Sequence, residues 1–506
     1  MDREIELKRE TAQSIDQAAI EAKKTELLKM DAEYAELSDK LAALQKTVGL
    51  AGDISRLQGA EQKYRADIEH LEWHKKRLEM DAGTLETQFI ELINKPHEKM
   101  LEIAFDGFMS SKMLRAAEQW ESEAGEREYF DLVTNVNEII VPEKSPEQLV
   151  DYLCAMVQTV RPQYNRNTIV NIAICLTQGF LTVFSGEPGC GKTSICNIIA
   201  EVLGLNRIGT LTGCDGGMKE NANRYISVSV ERGWTSKRDF IGYYNPLSKS
   251  FDKSNRRVYD ALHQLNIEKR ENLSKFPFFI LLDEANLSPM EYYWADFMNI
   301  CDDLGSQSEV SLGDSHVFSI PETLHFLATI NNDHTTETLS PRLIDRAWII
   351  SLPQQFGPLS LDNEMCPDQI EMITWESLKK AFIPQNAEAV FSADIQKIYD
   401  MILTHLRKGR FSVSPRAEIA IRRYWAVASK RFEKDETETD ASIVALDYAV
   451  AQRILPKILG NGEEFERWLE EFKSLCSGHG LNISAKLLRD IIDRGNQQMK
   501  YYQFFC

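Results

Sequence analysis

The sequence predicts an α/β fold, a parallel sheet with helices between its strands, followed by a helical C-terminal region and preceded by an all-α arm. Three observations predict it. An apolar run at Phe180–Phe184 passes through a glycine-rich turn into an apolar-periodic helix. Four further runs, Tyr225–Val230, Phe278–Leu282, Leu324–Ile330 and Ala347–Leu352, are separated by helical lengths, which is the order a parallel sheet requires. The stretch before Pro96 is free of proline, rich in Glu, Lys, Ala and Leu, and apolar at spacings of three and four.

Length and composition bound the rest. A chain of 506 residues with 43% apolar composition buries a large core and divides into about two to four structural units. Its nine cysteines (Cys154, Cys175, Cys190, Cys196, Cys214, Cys301, Cys366, Cys476 and Cys506) include no Cys-x-x-Cys pair, which fits reduced thiols in the cytoplasm better than zinc ligands or disulfides. The chain is charged from residue 2, and no apolar run approaches the roughly 18 residues that span a bilayer. A soluble cytoplasmic protein without membrane contact is expected. The net charge of −19 opposes adsorption to nucleic acid by the surface as a whole, although a pore or one face can still be locally basic.

In chain order, residues 1–95 carry two apolar seams. Leu27, Met30, Tyr34, Leu37, Leu41, Leu44 and Val48 form the first; Ile54, Leu57, Tyr64, Ile68, Leu71, Leu78, Leu85, Phe89 and Leu92 form the second, out of phase with it. Gly49 and Gly52 between them weaken a helix, so the segment reads as a helical hairpin or as one coiled-coil helix with a skip. A pair of amphipathic helices packed on its own domain is the alternative. Residues 96–164 read as a helical connector, with Met100, Leu101, Phe105, Leu149, Leu153 and Met156 on apolar positions. Residues 165–356 hold the sheet, including a hairpin at Val310–Phe318 turned by Gly-Asp. Residues 357–506 read as helices ending in an apolar tail, Lys500–Cys506, that must pack on something.

The chemistry concentrates at the glycine-rich turn. Gly186-x-x-x-x-Gly191-Lys192-Thr193 sits between a strand and a helix N-terminus, where a phosphate-binding loop belongs. Glycines let the backbone N–H groups turn inward, and the helix adds the positive end of its dipole, which together suit a triphosphate. Gly186, Glu187, Pro188, Gly189, Cys190, Gly191, Lys192, Thr193 and Ser194 are therefore the expected nucleotide contacts, of ATP or GTP. A ligand-free strand-to-helix turn is the alternative, and the complete motif in its proper context weighs against it. The run Phe278–Leu282 delivers Asp283 and Glu284 to the same edge; Asp283 with Thr193 suits Mg²⁺, and Glu284 suits polarising a water. The next run ends in Asn331, a neutral amide that can orient that water or simply close a turn. Arg346, preferred over Arg342, lies just before the last strand, where an arginine can reach a neighbouring subunit's nucleotide.

These residues carry a resemblance. Over roughly residues 165–460 the chain resembles the AAA+ ATPases, and among them the branch of the McrB-type restriction motors and MoxR-type chaperones. The matching residues are Gly186–Thr193 (Walker A), Leu281–Glu284 (Walker B), Asn331 (sensor 1), Leu343–Arg346 (arginine finger) and Ser414-Pro-Arg416 (sensor 2). The segments Trp234–Leu247 and Leu446–Gly460 are also similar to that branch. The resemblance implies an AAA+ three-layer sheet with a C-terminal helical lid, Mg²⁺-dependent nucleoside triphosphate hydrolysis, catalytic roles for Glu284, Asn331, Arg346 and Arg416, and assembly into a homo-oligomer, most often a hexamer. Two functions follow from it: an antiviral or restriction motor that drives a separately encoded effector such as an McrC-like nuclease, or a chaperone that remodels a protein client. The stretch Ile330-Asn-Asn-Asp-His-Thr-Thr336 departs from the McrB pattern, keeping only its Asn and a shifted Asp, and this weakens both the GTP and the nuclease expectations.

Overall fold

The computed structural model describes residues 129–208, 223–245, 250–252, 254–301, 308–312, 317–331, 336–352, 370–385, 388–435 and 438–505, with a few positions near the N-terminus. The chain divides into two compact units, Met1–Ala124 and Gly125–Cys506. In the first, Lys29, Ala32, Ala35, Glu36, Ser38, Asp39 and Lys40 are helical and exposed. Lys40 donates to Glu36 one turn earlier at 2.5 Å. The two coiled-coil seams and the connector as far as residue 128 lie outside the described residues.

The second unit begins with a helix at 129–138, then α1 (Pro146–Val160) and α2 (Arg166–Gln178). Ser145 starts α1 with a reciprocal capping box to Gln148 and a proline at the first turn; Asn165 caps α2 through the Thr168 N–H. The central strand β1 (Leu181–Gly186) is buried along its whole length and runs into α3 (Lys192–Val202). There follow β2 (Tyr225–Ser229), a short hairpin of β3 (Tyr243–Asn245) and β4 (Ser250–Asp252), α4 (Arg256–Glu271) and β5 (Phe278–Asp283). A second hairpin, β6 (Glu309–Ser311) with β7 (Val317–Ser319), precedes β8 (Leu324–Asn331) and β9 (Trp348–Ser351).

Five of these strands form one sheet in the order β2-β5-β8-β1-β9, with every neighbouring pair parallel. The continuous apolar runs of β1, β5 and β8 explain their central places, because a parallel strand covered on both faces has no polar side to offer. The edge strand β2 alternates instead, with Val228 buried between exposed Ser227 and Ser229. Helices α2 and α3 pack on the sheet. Phe180, Phe240, Trp294, Phe297 and Phe326 form an aromatic cluster whose closest pair, Phe297 and Phe326, has ring centroids 4.7 Å apart. This cluster fastens the segments around 240 and 294 to the sheet.

Beyond the sheet come α5 (Trp375–Phe382), α6 (Ala393–Lys408), α7 (Pro415–Arg431) and α8 (Ala441–Arg453), then β10 (Leu459–Asn461), α9 (Glu463–Gly478), α10 (Asn482–Gln497) and β11 (Tyr501–Gln503). The apolar tail does pack: β11 pairs antiparallel with β10 and buries Tyr502 and Phe504. Gly495 makes that possible, since a Cβ there would lie 2.1 Å from the Tyr502 ring. One contiguous core runs from Leu149 through the sheet to Phe504, so the C-terminal helices share the sheet's core. Among the described residues no helix is long and apolar enough to cross a membrane, and Cys154, Cys175, Cys190, Cys196, Cys301 and Cys476 are free thiols.

Asp447 on α8 supplies the cap that Leu481, at the start of α10, cannot. Its buried carboxylate accepts the N–H of Ile483 at 2.7 Å and of Ser484 at 2.8 Å. Burial pushes this carboxyl up to about 6 from an ordinary 3.8, against the lowering effect of those hydrogen bonds. The folded chain therefore holds a proton that the unfolded chain releases, and the stability from this group is fullest below about pH 4 and lost as pH rises through about 6. Denaturant unfolding of the parent and of Asp447→Asn should show a stability difference that falls by on the order of 3 kcal/mol between pH 4 and pH 7. A difference independent of pH would overturn this assignment.

Candidate functional site

The loop between β1 and α3 is shaped by its glycines. Gly189 and Gly191 hold φ of +82° and +88°, a left-handed backbone that side chains disfavour. Gly186 lies so close to the chain that a Cβ would meet both the Cys190 Sγ and the Leu352 carbonyl at 2.8 Å. Glu187, Pro188 and Gly189 are exposed, while Cys190 is buried beneath them. Helix α3 starts without a side-chain cap, so its first N–H groups and its dipole face the loop. The Lys192 Nζ is folded back onto the loop, donating to the carbonyls of Gly186 at 2.9 Å and Glu187 at 2.8 Å. Arg161, at the end of α1, donates to the Ser194 Oγ at 2.7 Å.

The parallel register brings the ends of β5 and β8 to the same edge as this loop. There the Asp283 carboxylate accepts the Thr193 hydroxyl at 2.7 Å and the Thr329 hydroxyl at 2.6 Å. Glu284 is exposed and left-handed, at φ 55°, a strained state for a side chain with a Cβ. Its N–H donates to Thr329 at 2.9 Å, which fixes the turn. Asn286 ties the next strand in: its side chain donates to the Asn331 carbonyl at 2.9 Å and accepts the Asn331 N–H at 3.2 Å. The neighbours Asn332 and Asp333 lie outside the described residues. Hard oxygen donors from Thr193 and Asp283, beside a loop open to phosphate, fit Mg²⁺.

A cavity of about 480 Å³ opens beside the loop, lined among others by Gln163, Tyr164, Leu352, Tyr448 and Lys486. Leu352 joins it to the loop by donating its N–H to the Ser185 carbonyl at 2.8 Å.

The two arginines lie elsewhere. Trp348 is level with Thr182, four residues and about 13 Å before Gly186, and Arg346 precedes it on the opposite edge of the sheet. Arg346, Arg416, Arg423 and Arg453 line a second cavity of about 400 Å³ together with Phe180 and Ile419. Beside it the Asp345 carboxylate accepts Ser414 at 2.8 Å and Lys457 at 2.5 Å and faces Arg416 at 3.5 Å, while the Arg346 guanidinium donates to the Arg342 carbonyl at 2.8 Å. Burial alone would raise the Asp345 carboxyl, but Lys457 and Ser414 outweigh it and hold it below its usual range. Arg453 is buried, donates to the carbonyls of Asp345 and Ala347, and lies over the Trp348 ring at 5.0 Å. Burial pushes its pKa down to about 10, which leaves it charged at neutral pH.

Of the residues expected from sequence, the loop, Thr193, Asp283, Glu284 and Asn331 share one edge, whereas Arg346 and Arg416 share the other. Thr329, Asn286, Arg161 and Asp345 were given no role from sequence. Thr329, Asn286 and Asp345 each stand within two residues of a motif residue, whereas Arg161 lies far from the loop in sequence, and only the fold reveals the partners of all four. A family model described as a domain of unknown function (DUF8727) matches residues 370–501. That span holds Arg416, Arg453 and Lys457, and leaves out the loop and Arg346. The chain matches no curated protein sequence.

The double role of Thr329 can be measured. Thr329→Val keeps the shape but leaves the Glu284 N–H without its acceptor, and unfolding in denaturant should report a loss of about 1–3 kcal/mol. Thr329→Ser, which keeps the hydroxyl, should stay within about 1 kcal/mol of the parent. Equal stability of the two variants would show that the hydroxyl bonds contribute nothing.

Proposed function

We propose that the chain is a nucleoside triphosphatase of the AAA+ type that works as a ring, most often a hexamer in such assemblies. The observation that carries this reading is the separation of its two charged groups. Loop, carboxylates and Asn331 lie at one edge of the sheet, and Arg346 with Arg416 lies at the other, about 13 Å or more away. An arginine side chain cannot cross that distance to its own loop. A second copy, docked with its loop against this edge, would receive both arginines. The strand order and the helical C-terminal region are those the AAA+ reading requires, with the C-terminal helices as the lid.

In this reading the loop N–H groups and the α3 dipole bind the phosphates, and Lys192 exchanges its two loop carbonyls for phosphate oxygens. Thr193 and Asp283 would hold Mg²⁺, which supplies charge neutralisation at the phosphates. Glu284, exposed at the edge, polarises the attacking water, and Asn331 orients it. The neighbour's Arg346 and Arg416 offset the charge that develops on the transferred phosphoryl group. The cavity beside Leu352 has the position and size to hold the base. Work on a separately encoded effector, in an McrB-like defence system, is the leading use of the motor. The departure from the McrB pattern after Ile330 favours a second one, a MoxR-like remodeller of protein complexes that accepts ATP.

Glu284→Gln should bind Mg²⁺-nucleotide normally and hydrolyse it at least about a hundredfold more slowly, while Lys192→Ala should lose binding. Parent-rate turnover by Glu284→Gln would sink the assignment. Arg346→Ala and Lys192→Ala should each be inactive alone, yet regain turnover when mixed, because some interfaces then pair an intact loop with an intact arginine. Binding of ATP and GTP compared side by side decides the base, and strong GTP selectivity would refute the ATP reading.

A further inference from the structure

The turn that carries Arg346 is tied to the C-terminal helices through both the side chain and the backbone of Asp345, and the Arg346 guanidinium itself donates to the Arg342 carbonyl at 2.8 Å. Asp345 immediately precedes Arg346, and its two oxygens accept the Ser414 hydroxyl at 2.8 and 2.9 Å. One of them also accepts Lys457, and the other faces Arg416. The backbone on either side is gripped as well, since Arg453 donates to the carbonyls of Asp345 and Ala347. All four partners belong to the C-terminal helical region: Ser414 and Arg416 open α7, Arg453 closes α8, and Lys457 ends the turn Leu455–Lys457. Ser414 is also the N-cap of α7, donating to Asp345 while accepting the Ala417 N–H at 3.1 Å. The start of α7, and Arg416 with it, is therefore tied to the same carboxylate that leads into Arg346.

The charge balance favours this arrangement. Arg346, Arg416, Arg423 and Arg453 line one cavity, Lys457 adds a further cation through its bond to Asp345, and like charges in a partly buried space repel one another. Asp345 is the carboxylate that Lys457 and Arg416 share there. Leaving such partners unpaired costs far more than an exposed ion pair is worth.

We propose that Asp345 is a positioning residue that locks Arg346 and Arg416 side by side, so that the C-terminal helices present both to the nucleotide of a neighbouring copy. The inference rests on the ring reading and adds to it a specific coupling point. Asp345 touches no substrate; it acts through the two arginines. Movement of the C-terminal helices would shift Arg416 through α7 and Arg346 through the Asp345 carboxylate together, so that neither reaches the neighbour without the other.

The test uses the full chain. Asp345→Asn keeps the size of the side chain and removes its charge. Its own loop is untouched, so the Kd for a slowly hydrolysed ATP analogue should stay within about twofold, while kcat should fall roughly tenfold or more. Mixing it with Lys192→Ala should restore turnover, because the Lys192→Ala subunit supplies an intact Asp345 and Arg346 to the variant's intact loop. A residue needed only for folding would not be rescued in this way. Lys457→Met, which removes one partner of the same carboxylate, should shift kcat in the same direction by less and be rescued by the same mixing; it carries the test if Asp345→Asn does not fold. Parent-rate turnover in the variant that folds would overturn the proposal, and so would a loss that mixing fails to restore while the Arg346→Ala and Lys192→Ala pair is restored. Failure of that control pair would instead remove the ring reading, and this inference with it.

Discussion

The parallel pairing of β1 with β8 on one side and β9 on the other is the constraint from which both charged edges follow. Parallel strands all end at the same edge, so a loop after β1, carboxylates after β5 and an amide after β8 converge without any further device. The hydroxyl bonds from Thr193 and Thr329 to Asp283 then link the ends of α3, β5 and β8 into one polar junction. The same pairing sends whatever precedes β9 to the far edge. A sheet with β9 reversed would bring Arg346 to the loop of its own chain.

Each edge is built by a different kind of bond. At the loop edge the geometry is set mostly by the backbone, through left-handed glycines, uncapped N–H groups and a strained Glu284 whose turn is fixed by Thr329. Backbone donors cannot rotate away, which suits a site that must be ready before its ligand arrives. At the arginine edge the groups are long side chains, and long side chains need to be held. Asp345, Ser414, Lys457 and Arg453 do this by fastening the arginine-bearing turn to the C-terminal helices.

The C-terminal helices are consequently more than a cover. They share the sheet's core, contribute one wall of the cavity beside the loop through Tyr448 and Lys486, and supply the partners of Asp345 at the other edge. The segment matched by the domain model, residues 370–501, thus reaches both charged edges of the sheet while containing neither the loop nor Arg346. A displacement of α8 would be felt in both places, since Tyr448 lies in its middle and Arg453 at its end.

The sequence by itself determined what depends on near neighbours along the chain. All five sheet strands stand within a residue or two of the runs that predict them, continuous where both faces are buried and alternating at the edge strand β2, and the loop is where glycines at 186, 189 and 191 require it. Tertiary structure alone decided which strands lie side by side and therefore which residues meet. Thr329 reaches Asp283 from 46 residues away and Ser414 reaches Asp345 from 69, separations at which no local periodicity carries information. The same holds for Arg346 and Arg416, which the motif pattern associates with nucleotide chemistry but which meet at the edge away from their own loop, the first through the parallel register of β9 and the second through the packing of α7. Periodicity fixes the face on which a residue lies; only the packing of distant elements fixes what stands opposite it.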